Sequence, residues 1–388
     1  MNNTIVFVDD DKRVLDGLRR MFRDYRKQWR IYFCLSAKEA LEVFKEKHVD
    51  VIISDMRMPV MNGVQLLHKI RSMSPHTIRI ALSGYVNKEM TLESIQVVHQ
   101  FIAKPCDKES ISAVIERAIS LPSTLCDEKV KAVLGKIDTL PSLPTVYTEM
   151  IKEVNSDNCS LLNIGKIVNK DVAVSTNLLK IVNSSFFGFA RHVDSAAQAV
   201  SILGMETVEN LVLFTSVFSS DRNNTSNFDE LYRLNTFCLK VGLLAAKLAD
   251  VTDLPDKQKG YCQIAGMMTG LGRLVLEEYS TELSDDARTE TDYAQMSSYI
   301  LGMWGLPLEV VDSVRWHQNP SESGLGSLAP LTVVHAAYAM IKSTEGGNEL
   351  GLASEFLDID YLLSVVHEDD LEKWLQVAIE FLTPSEGP

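Results

Sequence analysis

A chain of 388 residues with 46% hydrophobic and 23% charged side chains is long enough for two globular domains, and its composition excludes a disordered or collagen-like polypeptide. Its net charge of −14 is unevenly spread: residues 1–120 carry 19 Lys+Arg against 15 Asp+Glu, a net of +4, and the other 268 carry 19 against 37, a net of −18. So acidic a second half repels phosphate backbones, which excludes nucleic acid as its partner, and no apolar run approaches the roughly 20 residues of a membrane helix.

Taken in chain order, the first 120 residues alternate apolar runs with amphipathic stretches. The runs "TIVFV" (4–8), "IYFCL" (31–35), "VDVIIS" (49–54), "IRIAL" (78–82) and "QFIAK" (100–104) read as buried strands. Helix-like segments begin near Lys12, Ser36, Asn62, Lys88 and Lys108. Five strand–helix units in that order predict a doubly wound α/β domain over residues 1–121, with a five-stranded parallel sheet. Residues 122–136 read as a linker, ahead of the proline-rich "LPSLP" (140–144). From residue 137 to 388 nearly every segment has helical period, so the second half is expected to be all-α. Within it, "AGMMTGLGRLVL" (265–276) combines an apolar helix face with Gly266, Gly270 and Gly272. Each glycine costs such a helix roughly 1 kcal/mol relative to alanine. Six scattered cysteines without a CxxC, and an apolar start interrupted by acids, fit reduced thiols and a cytoplasmic protein without a signal peptide.

In a parallel sheet the carboxyl ends of the strands share one rim, where ligands bind. Asp9, Asp10 and Asp11 follow the first strand, Asp55 the third, Ser83 the fourth and Lys104 the fifth. Carboxylates there suit Mg²⁺, and a further carboxylate can act as a nucleophile toward a phosphoryl group. A lysine and a hydroxyl can hold the transferred oxygens. Taken singly, "DDD" reads as a helix N-cap and an Asp after a strand as a turn residue. Four such features at four strand ends are harder to explain in that way.

The stretches "IVFVDDD", "DVIISDMRMPVMNG", "IALSG" and "FIAKP" resemble the receiver domain of bacterial two-component response regulators, a flavodoxin-like fold. The resemblance implies that Asp55 is the phospho-acceptor, and that a sensor histidine kinase or small phosphodonor supplies the phosphoryl group. It implies that Asp10 binds Mg²⁺ directly, that Asp9 assists through water, and that Asp55 and the carbonyl of Arg57 complete the metal site. Ser83 and Lys104 would hold the phosphate, and Phe101 would be the switch aromatic. Gly84 would leave the acceptor open, and Pro105 would follow a cis peptide. The switch face would also fit a second receiver, in a homodimer.

"LPSLPTVYTEMIKEVN" (140–155), "IGKIVNKDVAVSTNLLKIVNSSFFG" (164–188), "AAQAVSILGMETVENLVL" (196–213) and "WGLPLEVVDSVRWHQNP" (304–320) resemble the HDOD output domain, a helical module related to HD-type metal phosphohydrolases. The resemblance fades over residues 339–388, which read as extra terminal helices. Aligned by motif, Thr269 and Gly270 stand at the His-Asp pair of those enzymes, Phe237 near the upstream His and Tyr338 at the final Asp. None of the four is a metal ligand, so the expected function is a non-enzymatic response regulator whose HDOD domain contacts a downstream signalling protein. The competing reading is an HD-type phosphodiesterase acting on a cyclic nucleotide or dinucleotide. His317 and His335 read as hydrogen-bonded packing residues. In "NSSFFG" (183–188), Asn183 and Ser184 read as satisfying a helix end, with Phe186 and Phe187 packed.

Overall fold

The computed structural model describes residues 3–74, 76–83, 97–104, 106–124, 144–156, 158–183, 193–218, 228–278, 290–345 and 355–383. The chain forms two compact units, Met1–Thr145 with Tyr299–Leu306, and Val146–Ser298 with Pro307–Pro388.

In the first unit five strands form one parallel sheet: β1 (Asn3–Val8), β2 (Trp29–Cys34), β3 (Val51–Asp55), β4 (Ile78–Ser83) and β5 (Gln100–Ala103). Their spatial order is β2-β1-β3-β4-β5, as the doubly wound reading requires. Val8 pairs with Cys34 and Ser54, Asp55 with Leu82, and Ser83 with Ala103, so the strand ends named above do share one rim. Ile5, Phe7, Ile53 and Ile80 on one face and Val6, Ile52 and Ala81 on the other are fully buried, which explains why these strands read as apolar runs rather than alternating ones.

Helix α1 (Lys12–Met21) starts at Asp11, whose side chain accepts from the Arg13 amide. Helix α2 (Ala37–Glu46) starts at Ser36, which accepts from the Glu39 amide. Helix α3 (Gly63–Met73) opens with a capping box between Asn62 and Gln65. The helix expected near Lys88 lies outside the described residues. Helix α4 spans Lys108–Thr124, so residues 122–124 continue a helix where a linker was expected; 125–136 lie outside the described residues.

Among its described residues the second unit has helices and no strand. Helices α5 (Thr145–Val154), α6 (Leu161–Val168), α7 (Val172–Val182), α8 (Ala196–Leu203) and α9 (Met205–Phe218) lead into the long α10 (Phe228–Asp250). The core of the unit forms where α10 packs against α11 (Asp256–Met268) and α15 (Pro330–Glu345), with α14 (Leu308–Trp316) against both α11 and α15. Between α11 and α14 in the chain lie α12 (Leu271–Glu278) and α13 (Glu290–Met303), whose residues from Tyr299 belong to the first unit. The terminal α16 (Ile359–Val365) and α17 (Glu368–Leu382) join this core: Trp374 is buried, and its indole Nε1 donates to Thr252 Oγ1 at 3.0 Å.

The stretch 265–276 is two helices rather than one. The break falls at Thr269–Gly270, where Thr269 Oγ1 turns back to donate to the Gly266 carbonyl at 2.9 Å. The Gly272 amide donates to Ser297 Oγ at 2.7 Å, so a side chain from α13 satisfies the new helix start. The glycines have steric reasons. A Cβ on Gly266 would lie 2.8 Å from the Gly242 Cα, and one on Gly270 would lie 2.5 Å from Cys238 Sγ. Close helix approach offsets their poor propensity.

Candidate functional site

Two places in the fold gather chemistry. The first is the rim of the sheet. Lys104 Nζ lies 2.8 Å from Asp9 Oδ2 and 2.5 Å from Asp55 Oδ1, so one ammonium is shared by two carboxylates from β1 and β3. The second oxygen of each is also held: Asp9 Oδ1 accepts from the Asp11 amide at 2.9 Å, and Asp55 Oδ2 from the Arg57 amide at 2.6 Å. Asp9 is buried, Asp55 and Lys104 are half-buried, and Asp10 is exposed. The carboxylate that shares Lys104 with Asp55 is therefore Asp9.

Burial opposes the charge on Lys104, but the hydrogen bonds and attraction from Asp55 and Asp9 outweigh it and raise its pKa above the ordinary lysine value. Gly63 fixes the backbone beneath the acceptor. A Cβ there would fall 2.2 Å from the Asp55 carbonyl oxygen, so no larger residue lets α3 start so close to β3. Val60, in the connecting loop, has φ +68 and is fully exposed.

Among the described residues no three His, Cys, Asp or Glu side chains converge as a metal-ligand group. Mg²⁺ asks for less, since one or two carboxylates with waters are enough. Among the described residues Asp9 and Asp55 bring hard oxygen donors together at the rim, where they already share a cation. The donor set fits that ion. The backbone of β4 and β5 puts positions 83 and 101 in the sheet, but the side chains of Ser83 and Phe101, like Gly84 and Pro105, lie outside the described residues.

The second place is a cavity of about 440 Å³ in the helical unit. Phe237 on α10, Thr269 and Gly270 at the helix break, and Tyr338 on α15 all line it, so residues from three places far apart in sequence converge. The Phe237 and Tyr338 rings meet edge to face, with centroids 5.4 Å apart. His317 also lines the cavity, with its ring 4.4 Å from that of Tyr338. His317 Nδ1 donates to the Val314 carbonyl at 2.7 Å, which leaves Nε2 as an acceptor 3.3 Å from Gln318 Nε2. Burial keeps this imidazole neutral, with its pKa pushed down to about 4. His335 lies outside the cavity: Nδ1 donates to the His317 carbonyl, and Nε2 accepts from the Asp358 amide. Asn183 closes a helix end, bonding the carbonyls of Leu179 and Val193 and the Val193 amide. Ser184, Phe186 and Phe187 lie outside the described residues.

Reading the sequence missed the cations of this cavity. Arg233, Arg273 and Lys342 line it together with Glu230, which pairs with Arg273. The signal was present as spacing. Arg233 stands four residues before Phe237 on α10 and Lys342 four after Tyr338 on α15, while Arg273 lies on α12 beyond the helix break. Only convergence of three helices gives those pairs a meaning.

Comparison with known proteins assigns both units. Residues 5–116 match the response regulator receiver domain and residues 140–320 match the HDOD domain. The chain is 24% identical over 234 residues to an uncharacterised protein of Treponema pallidum, covering 55% of this chain and 44% of that protein. It is 31% identical over 118 residues to the hydrogenase transcriptional regulatory protein HoxA of Cupriavidus necator, covering 30% of this chain and 24% of that protein. It thus spans less than half the length of these curated relatives. An HDOD domain protein of unknown function from Geobacter sulfurreducens aligns with a TM-score of 0.48 and 14% identity, over 65% of this chain and 96% of that one. No described helix is long and apolar enough to cross a membrane. Residues 5–116 are a response regulator receiver domain and residues 140–320 an HDOD domain, joined in one chain.

Proposed function

We propose that this chain is a phosphorylation-controlled response regulator in which Asp55 accepts the phosphoryl group and the HDOD half acts by binding rather than catalysis. The observation that carries the first part is Lys104, whose ammonium bridges Asp9 and Asp55 at the sheet rim. An oxygen of Asp55 attacks the phosphorus of a phosphohistidine or an acyl phosphate. The bond from phosphorus to the donor breaks, and its electron pair leaves with the donor. A mixed anhydride on Asp55 results. Lys104 stays beside the product and faces the charge on the transferred oxygens. Asp9, Asp10, Asp55 and the Arg57 carbonyl would hold Mg²⁺, which neutralises charge on the transferred group when bound.

The acyl phosphate adds about one negative charge and three strong acceptors to the rim, so Lys104 must redistribute its bonds. The modification shifts a conformational equilibrium only by the contacts that differ between the two states. For the HDOD half, Phe237, Thr269, Gly270 and Tyr338 offer one hydroxyl, one phenol and no carboxylate or imidazole. A set of that chemistry supports binding and does not support metal-activated hydrolysis.

The test is labelling by a small phosphodonor in the presence of Mg²⁺. Label should appear on Asp55, and both Asp55→Asn and omission of Mg²⁺ should abolish it. Stoichiometric labelling of the Asn variant would refute the acceptor assignment. Metal-dependent hydrolysis of a phosphodiester by the purified protein, lost on substitution in the cavity, would refute the non-catalytic reading.

A further inference from the structure

Residues 121–388 hold 18 more acidic than basic side chains, yet the cavity inside the helical unit is basic. Three cations line it, Arg233, Arg273 and Lys342, against the single carboxylate of Glu230. A chance distribution of charge in so acidic a half would have favoured the opposite sign.

The lining also has direction. Its buried part is His317, Thr269 and Tyr338, each at most 6% exposed, while Arg273 and Lys342 are half-buried and Arg233 is exposed. Aromatic faces and neutral hydrogen-bonding groups therefore lie deep, and positive charge lies toward solvent. Lys342 Nζ stands 6.0 Å from the Phe237 ring centre and 5.8 Å from that of Tyr338, which ties the charged zone to the aromatic one. In the deep zone the acceptor Nε2 of His317 sits beside the Gln318 amide, whose nitrogen also reaches the Tyr338 hydroxyl at 3.3 Å. Such a group can read the edge of a heterocycle.

The volume of about 440 Å³ lies in the range of roughly 300–1,000 Å³ that small-molecule sites occupy. Charge then selects the head group. A phosphate monoester carries about two negative charges at neutral pH, matching three cations less one carboxylate. A monocarboxylate would leave one cation uncompensated. Guanidinium forks also suit phosphate oxygens.

We propose that this cavity binds a small phosphate monoester carrying a flat heterocycle, the chemistry of a nucleoside monophosphate. The ligand is held and not consumed, and its binding does not require a phosphoryl group on Asp55. It gives the HDOD half a chemical input separate from that of the receiver.

The test is equilibrium dialysis and titration calorimetry on the full chain with adenosine and guanosine monophosphates, the bare nucleosides and inorganic phosphate. A monophosphate should bind saturably, one per chain, and the nucleoside or phosphate alone should bind at least about tenfold more weakly. Arg233→Ala, Lys342→Met and the size-conserving Gln318→Glu should each cost about tenfold in affinity, through lost charge or added repulsion. Lys247→Ala, exposed on the same long helix as Arg233 and outside the cavity, should change nothing. Because Arg233 is exposed, its alanine variant should melt like the parent, which separates lost binding from lost folding. Asp55→Asn should bind like the parent, so failure of the acceptor assignment would not affect this result. Absence of saturable binding at millimolar monophosphate, or binding indifferent to both Arg233→Ala and Lys342→Met, would overturn the proposal.

Discussion

Gly266→Ala pits two effects of similar size against each other. Alanine gains about 1 kcal/mol over glycine in a helix interior. Its Cβ, however, would lie 2.8 Å from the Gly242 Cα, 3.0 Å from the Gly242 nitrogen and 3.1 Å from the Val241 carbonyl carbon. All three are backbone atoms of α10, and none can rotate away as a side chain would. The two helices must separate, and overpacking of this kind costs about 1–3 kcal/mol, the upper end applying where nothing can yield. The net expectation is a loss of about 2 kcal/mol, or roughly 4–8 °C in the melting of a unit of this size. Thermal unfolding followed by circular dichroism would resolve the shift in the helix-rich transition. The control is Gly17→Ala, on α1, where a Cβ meets nothing within 4 Å. There the same substitution should stabilise, by up to about 1 kcal/mol. A Gly266→Ala protein melting at or above its parent would refute the close-approach argument.

Lys104→Met leaves Asp9 and Asp55 facing each other without their shared cation. Breaking a buried pair costs about 3–5 kcal/mol, but the Lys104 side chain is 27% exposed, so screening lowers the expected loss to about 1–3 kcal/mol in urea denaturation of the receiver. Adding Asp55→Asn should restore part of that loss, and an unchanged midpoint in the single variant would contradict the bridge. Because its folded pKa is raised, Lys104 contributes stability that is fully present below its unfolded value of 10.5 and lost as pH rises through the higher folded value. A pH series of receiver melts above pH 10 should show that loss in the parent and not in Lys104→Met. His317 has the opposite sense. Its folded pKa of about 4 lies below the unfolded 6.5, so its contribution is present above pH 6.5 and lost as pH falls to about 4. The cost at the acid end is roughly 3 kcal/mol, and NMR should find its imidazole neutral at pH 5.5, where an ordinary histidine is charged. A protonated ring at that pH would contradict its burial.

Local chemistry alone made the receiver half legible. Its strands are buried on both faces and therefore read as uninterrupted apolar runs, and the parallel order follows from the alternation of strands and helices. Because parallel strand ends must share a rim, Asp9, Asp55 and Lys104 could be placed together before any coordinate was known. Shared position on the rim holds for Asp10 and Asp11 as well, so which of the three carboxylates bonds to Lys104 was not legible. Adjacent residues at a strand end point in opposite directions, and the exit path of the chain decides which one turns inward.

The helical half divides differently. Its all-α character and its lack of metal-ligand residues at Phe237, Thr269, Gly270 and Tyr338 follow from residue type and period. Helical period says which residues share a face of one helix, but not which faces meet. The helix break at Thr269–Gly270 depends on Ser297, a residue 25 positions beyond the Gly272 amide it accepts from. The basic cavity depends on three helices bringing Arg233, Arg273 and Lys342 to one volume within an acidic sequence. Net charge sums over the chain, whereas a binding site is set by the few charges that packing places side by side.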